Sequence, residues 1–366
     1  MVGVATHPVL LRAERFASRF GLRVPLLLAP MAGACPVALS LAVSRAGGMG
    51  ALGALLHDAA GIAAWAADYR GQGGGPLQIN LWIPDPEPRR DAAHEAALRV
   101  FLGRFGPGVA ASAGDARPPA FEAQCEALLA ARPAAVSSIM GLYPAPFVAR
   151  LKAAGIAWFA NVTTVAEARA AEAAGADVIV AQGAEAGGHR GAFDATRARD
   201  EAVGLFALVP QVVDAVRLPV VATGGIADAR GVAAALLLGA SAVQVGTGFL
   251  RCPEAGIAPA WAAALAGLPP EGTQLTRAFS GRWGRALATD YVLAAAMPDA
   301  AQPAPYPVQR GLTAAMRKAA EAAGDVQRMQ AWSGQGVGLA RGGAAEDFAA
   351  ALWYGARALM GAPGMA

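Results

Sequence analysis

Lysine is nearly missing from this chain: of 30 basic residues only Lys152 and Lys318 are lysines, and the rest are scattered arginines. With no basic run or stripe there is no electrostatic footprint for nucleic acid. Cysteine is scarce too. Cys35, Cys125 and Cys252 are odd in number and far apart, which argues against a disulfide framework and against a thiolate metal site. Long apolar runs are also lacking. Although 55% of the residues are hydrophobic and only 16% charged, no uninterrupted stretch reaches the roughly 18 residues of a membrane span. The residues from Met1 to Ala17 carry arginines and a glutamate without a signal-peptide pattern. The expectation is a soluble, cytoplasmic protein, monomeric or homodimeric, that engages neither membrane nor nucleic acid.

What the chain does have is 366 residues, enough to bury a large core, and short apolar runs alternating with alanine-rich segments. Strand-length runs fall at 25–33 (with its terminal loop), 50–56, 77–83, 134–140, 156–162, 177–181, 219–222 and 242–245. They are continuous rather than alternating, as strands covered on both faces should be. Gly155, Gly175 and Gly239 stand where intervening helices should stop. If a late helix over 345–359 closes the ring, the pattern gives a parallel (β/α)8 TIM barrel, with 1–366 as one domain. An open doubly wound sheet is less favoured, because no Gly-x-Gly-x-x-Gly opens the first turn. The Pro-, Arg- and Gly-rich stretch 84–133 exceeds an ordinary connection and reads as an insertion with helices near 92–105 and 121–131. Residues 252–344 read as a C-terminal extension on the substrate side, ahead of the closing helix.

In a barrel the chemistry gathers where the strands end. Arriving there are Ala29-Pro30-Met31, Asn80, Ser138, Asn161, Gln182, Thr223-Gly224-Gly225 and Gln244-Val245-Gly246-Thr247. This set of amides, hydroxyls and glycines suits a flat, neutral ring rich in heteroatoms, not a divalent metal. The last two loops occupy the barrel position that holds phosphate through backbone N–H groups, although each alone could be a tight turn. A phosphorylated ring such as FMN satisfies both halves. The densest stretch is Gln182-Gly-Ala-Glu-Ala-Gly-Gly-His-Arg-Gly191, with four glycines in ten residues after an apolar run. Its glycines let backbone approach a ligand closely, and His189 is a candidate acid–base group. Of the other histidines, His7 is near a terminus and His94 is in the insertion. His57, after the second strand, is the one rival, and it reads as a helix-start residue.

These motifs, with Ala29-Pro-Met-Ala-Gly33, Gln78-Ile-Asn80, Ala222-Thr-Gly-Gly-Ile226 and Gln244-Val-Gly-Thr247, resemble the nitronate monooxygenases, formerly 2-nitropropane dioxygenases, which are FMN-dependent TIM barrels. The resemblance spans about 25–352. It includes Pro305-Tyr-Pro-Val-Gln309 and Trp332-Ser-Gly-Gln335, similar to C-terminal signatures of the class I enzymes. It implies FMN contacts at Ala29, Pro30, Met31, Asn80, Gln182, Gly187, Gly224, Gly225, Gln244, Val245, Gly246 and Thr247. It implies His189 as the catalytic residue, with Tyr306 at the substrate; Arg190, from the glycine-rich loop, is also expected there. The implied reaction is oxidation by O₂ of alkyl nitronates, such as propionate 3-nitronate, to a carbonyl product and nitrite. His189 could serve it as a cation holding the anion or as a neutral base toward a nitroalkane.

Two segments depart from the family pattern, Ser137-Ser-Ile-Met140 and Arg282-Trp-Gly-Arg285; both bear on the substrate pocket. Glu185 is expected to order its loop through a backbone N–H. Cys35, Trp332 and Trp353 are expected to be packing residues. Two alternatives stay open: an FMN-dependent enoyl-acyl-carrier-protein reductase on the same barrel, with NAD(P)H access and a long acyl channel, and a non-catalytic flavin-binding protein.

Overall fold

A computed structural model describes residues 8–361; His7 lies outside them. Each of the eight apolar runs forms a strand: β1 (Leu26–Leu28), β2 (Gly50–Gly53), β3 (Leu77–Trp82), β4 (Ala135–Ile139), β5 (Ala157–Val162), β6 (Val178–Gln182), β8 (Val220–Thr223) and β9 (Ala242–Val245). Three short strands were not anticipated: β7 (Gly188–His189), β10 (Thr273–Thr276) and β11 (Gly284–Leu287). The eight pair in parallel in the order β1-β9-β8-β6-β5-β4-β3-β2. The ring closes where Leu27 faces Met49, with Leu28 N–H donating to the Met49 carbonyl at 3.0 Å. This is the (β/α)8 barrel.

Side chains alternate along each strand, so one set from every strand points inward. Near the amino ends that set is apolar, with Leu27, Met49, Phe159, Val180, Val221 and Ala242 in one buried cluster. Helix Pro8–Arg19 and the turn after it cover this end, where Phe20 meets Phe159 edge-on at 5.1 Å. Two residues further along, the inward set turns polar, and Asn80, Ser137, Asn161, Gln182, Thr223 and Gln244 line a cavity. The polar layer is where the barrel stops being a filled core and becomes a site.

The ring helices begin at side-chain caps that satisfy otherwise unpaired N–H groups. Asp58 accepts from Gly61 N, Thr164 from Glu167 N and Asp228 from Gly231 N. Helix Ala345–Leu359 closes the ring, packing against the helices Ala229–Leu237 and Val37–Arg45.

The stretch 84–133 divides differently from the expectation. Helix Phe121–Ala131 packs between helices Ala59–Gly71 and Ala145–Ala153 and is the ring helix that follows β3. Only the part before it is inserted. Its helix Ala92–Leu102 contributes Leu98, Phe101 and Leu102 to a second core with Phe279, Tyr291, Val308 and Leu312 of the C-terminal extension. The extension also supplies β10 and β11, which form an antiparallel sheet with β7, Gly284 opposite His189 and Arg285 opposite Gly188. The glycine-rich loop after β6 is therefore tied by backbone pairing to residues far along the chain.

Candidate active site

The cavity at the carboxyl ends of the strands has a volume of about 400 Å³. Most of the amide side chains in and just below it are engaged by other protein groups. Gln78 Nε2 donates to the Leu28 carbonyl at 2.8 Å and to Gln244 Oε1 at 3.0 Å. Asn80 Nδ2 donates to Ser137 Oγ at 3.0 Å. Gln182 pins the loop's return, accepting from Gly191 N at 2.8 Å and donating to the His189 carbonyl at 3.1 Å. Asn161 differs. It is buried, lines the cavity, and its Nδ2 has no partner among the described residues. An unpaired buried donor is costly, so this one is available to an acceptor on a ligand.

Close backbone approach defines the other end. Gly224 and Gly225 have φ of +121° and +69°, values that side chains disfavour. A Cβ on Gly187 would lie 2.4 Å from Gly334 N and 2.9 Å from Thr247 Oγ1. Thr247 Oγ1 accepts from Gly334 N at 2.9 Å, joining the extension to the loop after β9.

His189 lines the same cavity. Its Nε2 is 2.7 Å from Ser280 Oγ, a fully buried hydroxyl that also accepts from Arg282 N at 3.3 Å. Trp82 and Trp332 pack against the imidazole, with ring centroids at 4.6 and 4.7 Å. Burial, and then the like charges of Arg282 and Arg310, push its pKa down to about 3. Both causes favour the neutral ring at ordinary pH. Arg310 also lines the cavity, and its guanidinium has no hydrogen-bond or ion-pair partner among the described residues. Burial lowers the Arg310 pKa. Arg317, beside it, is fully used: Nε donates to Thr313 Oγ1 at 3.2 Å, Nη1 to Gln330 Oε1 at 3.1 Å and Nη2 to the Arg310 carbonyl at 3.0 Å.

The other expected residues divide. Ala29, Pro30, Met31, Asn80, Gln182, Gly187, Gly224, Gly225, Gln244, Gly246 and Thr247 all line the cavity. Val245 does not; its side chain points outward into the core between barrel and helices, and its carbonyl accepts from Ala29 N at 2.9 Å. Arg190 is also a correction. It is 2% exposed, away from the cavity, with Nη1 on the Gly183 carbonyl at 2.6 Å and Nη2 on the Gln182 carbonyl at 3.3 Å. It follows His189 directly, and alternation sends it to the opposite side. Tyr306 stands one ring behind the wall, 5.3 Å from Trp82.

Glu185 accepts from Leu205 N at 2.9 and 3.0 Å, ordering the loop. Cys35 is buried, its thiol 3.2 Å from the Ala29 carbonyl. His57 is outside the cavity lining, beside the start of helix Ala59–Gly71. Trp332 is more than packing, since it forms part of the site. Trp82, Ser280 and Arg310 were missed; Arg310 directly follows the tail motif ending at Gln309, whereas nothing in the sequence pointed to Ser280. No group of His, Cys, Asp and Glu that could hold a metal occurs among the described residues.

The nitronate monooxygenase family model matches residues 15–355, nearly the whole chain. The chain belongs to the nitronate monooxygenase family. A nitronate monooxygenase of Pseudomonas aeruginosa is 40% identical over 342 residues, covering 90% of this chain and 95% of the relative. Among solved structures, a nitroalkane oxidase from Streptomyces ansochromogenes superposes with a TM-score of 0.84 at 37% identity, covering 94% of this chain and 99% of that one. FabK from Thermotoga maritima has a TM-score of 0.74 at 24% identity, over 95% and 97% of the two chains; that likeness speaks to the barrel alone. The chain is thus an enzyme of an oxidoreductase family, and no described helix is long and apolar enough to cross a membrane.

Proposed function

We propose that this nitronate monooxygenase family member uses FMN and O₂ to oxidise alkyl nitronates to a carbonyl product and nitrite. We propose further that it prefers a nitronate with a second negative charge, such as propionate 3-nitronate. The observation that carries the reading is the presence, in one cavity, of His189 and the unpaired guanidinium of Arg310.

FMN fits the residues present. The unpaired Asn161 donor, with Asn80 and Gln244 nearby, suits the heteroatoms of a flavin ring edge. The glycine backbone at Gly224, Gly225 and Gly246 suits a phosphate held without lysine. When bound, FMN would supply the electron transfer from substrate to O₂. The protein's own contribution is positional. Arg310 holds an anionic group of the substrate by charge-assisted hydrogen bonding. His189 cannot hold an anion by charge when its pKa is about 3. It serves as a hydrogen-bonding group toward a nitronate, and as the base that takes the α-proton of a nitroalkane. Ser280 orients the ring through Nε2, and the indoles of Trp82 and Trp332 pack against it.

The test is direct. Purified protein should be yellow and release FMN on denaturation, and it should produce nitrite from a nitronate only when O₂ is present. A colourless protein that does not take up FMN overturns the reading.

A further inference from the structure

His189 stands between two indoles brought from distant parts of the chain. Trp82 ends β3 and meets the imidazole at 4.6 Å with planes at 73°, while Trp332 comes from the extension and meets it at 4.7 Å and 59°. Each indole is itself supported. Tyr306 backs Trp82 at 5.3 Å, and Phe279 meets Trp332 edge-on at 5.6 Å. The Trp332 backbone forms an antiparallel bridge with Ala286. Its ring fits only because residue 284 is glycine: a Cβ there would lie 2.9 Å from the indole. Gly284 is also the residue that faces His189 across the β7–β11 pair, so the same backbone position seats both the histidine and its lid.

We propose that Trp82 and Trp332 are positioning residues that clamp the His189 ring, holding its Nε2 on Ser280 and limiting the water that can solvate a protonated ring. An imidazole with free rotation could present either nitrogen to the cavity, and a hydrated one would gain a proton near neutral pH. The clamp restricts both freedoms, although the half-buried ring keeps one edge on the cavity. Indole faces also attract a cation, which acts in the opposite sense, but the surrounding charges oppose a proton. Arg282, on the β10–β11 connection, and Arg310, on helix Val308–Leu312, both act against it. Asp85, after β3, is 3.1 Å from Arg282 and compensates only that residue. Tyr306, whose hydroxyl pKa is raised by burial, stays neutral. Arg190, next in sequence, spends its guanidinium on the Gly183 and Gln182 carbonyls.

The clamp rests on the reading of His189 as the reacting group, and its test does not depend on turnover. Protein carrying labelled histidine contains only four such rings, and the His189 signal is the one lost in His189→Asn. In the wild-type holoenzyme this ring should stay neutral, as a single tautomer, from pH 8 down to the acid limit of folding. Trp332→Phe should keep that behaviour. Trp332→Leu and, independently, Trp82→Leu should let the ring titrate toward the ordinary value of about 6.5 and mix its tautomers. kcat/KM for a neutral nitroalkane should gain an acid limb at the same pH. Two variants from different elements guard against one failing to fold. A wild-type His189 that titrates near 6.5 overturns the clamp, as does a ring that stays neutral in both leucine variants. If the neutral ring and its release are seen but no nitronate is oxidised, the clamp stands and the functional proposal falls.

Discussion

Arg310→Gln removes a guanidinium that bonds to nothing else in the described protein, so its effect on the substrate is not confounded by broken internal contacts. A charge-assisted hydrogen bond from a buried cation to an anion contributes about 1.5–3 kcal/mol. At about 1.4 kcal/mol per factor of ten, that is roughly a 10- to 150-fold loss in kcat/KM. With propionate 3-nitronate as substrate the loss should appear mainly in KM, because the anion is present in ground and transition states alike. Neutral nitroethane should lose little. Thermal stability should hold or rise, since a desolvated charge is replaced by a neutral amide. Steady-state kinetics on the two substrates, with flavin content measured alongside, make the assay. Equal losses on both substrates, or none on either, would refute the assignment of Arg310 as the anion-holding group.

Ser280→Ala should reduce turnover of nitroalkanes by about 10-fold or more through loss of ring orientation, as removal of an orienting hydrogen bond commonly does, with FMN content unchanged; a drop in flavin content instead would point to a structural role. Gly225→Val places a Cβ 3.1 Å from Glu185 Cβ at a φ of +69°, and FMN retention measured after gel filtration should weaken. Stability should depend on the His189 proton. The folded pKa of about 3 lies below the ordinary 6.5, so the unfolded chain binds the proton first. Stability from this group is intact above pH 6.5 and is lost as pH falls toward 3. The slope approaches about 1.4 kcal/mol per pH unit, so His189→Asn should flatten the acid side of a denaturation–pH profile, and an unchanged profile would contradict the burial of a neutral ring.

The barrel was legible because its strands are covered on both faces and so read as unbroken apolar runs with glycine stops between. Most of the polar residues at the strand ends were legible for the same reason, but Ser138 is a correction: Ser137 lines the cavity, while Ser138 points to the other face and accepts from Trp158 Nε1 at 2.9 Å. Helix Phe121–Ala131 was misassigned to the insertion because a ring helix preceded by an irregular stretch has no local mark of belonging to the ring. Strand β7 is two residues long, too short for any periodicity, and without it the parity that separates His189 from Arg190 cannot be read. The partners of His189 were the least legible. Ser280 and Trp332 reach it because β11 pairs with β7 across a long stretch of chain, and no local pattern encodes that pairing; Arg310 comes from the helix Val308–Leu312. The glycine at 284 that admits Trp332 looks, in sequence, like any other loop glycine.

The central claim is that the cavity accepts a nitronate as the electron donor. Purified holoenzyme mixed anaerobically with propionate 3-nitronate, and separately with NADH or NADPH, tests it most directly, by following the flavin absorbance. Rapid bleaching by the nitronate, with nitrite appearing on admission of O₂, is the predicted result. Bleaching by a nicotinamide cofactor with none by the nitronate would contradict the account.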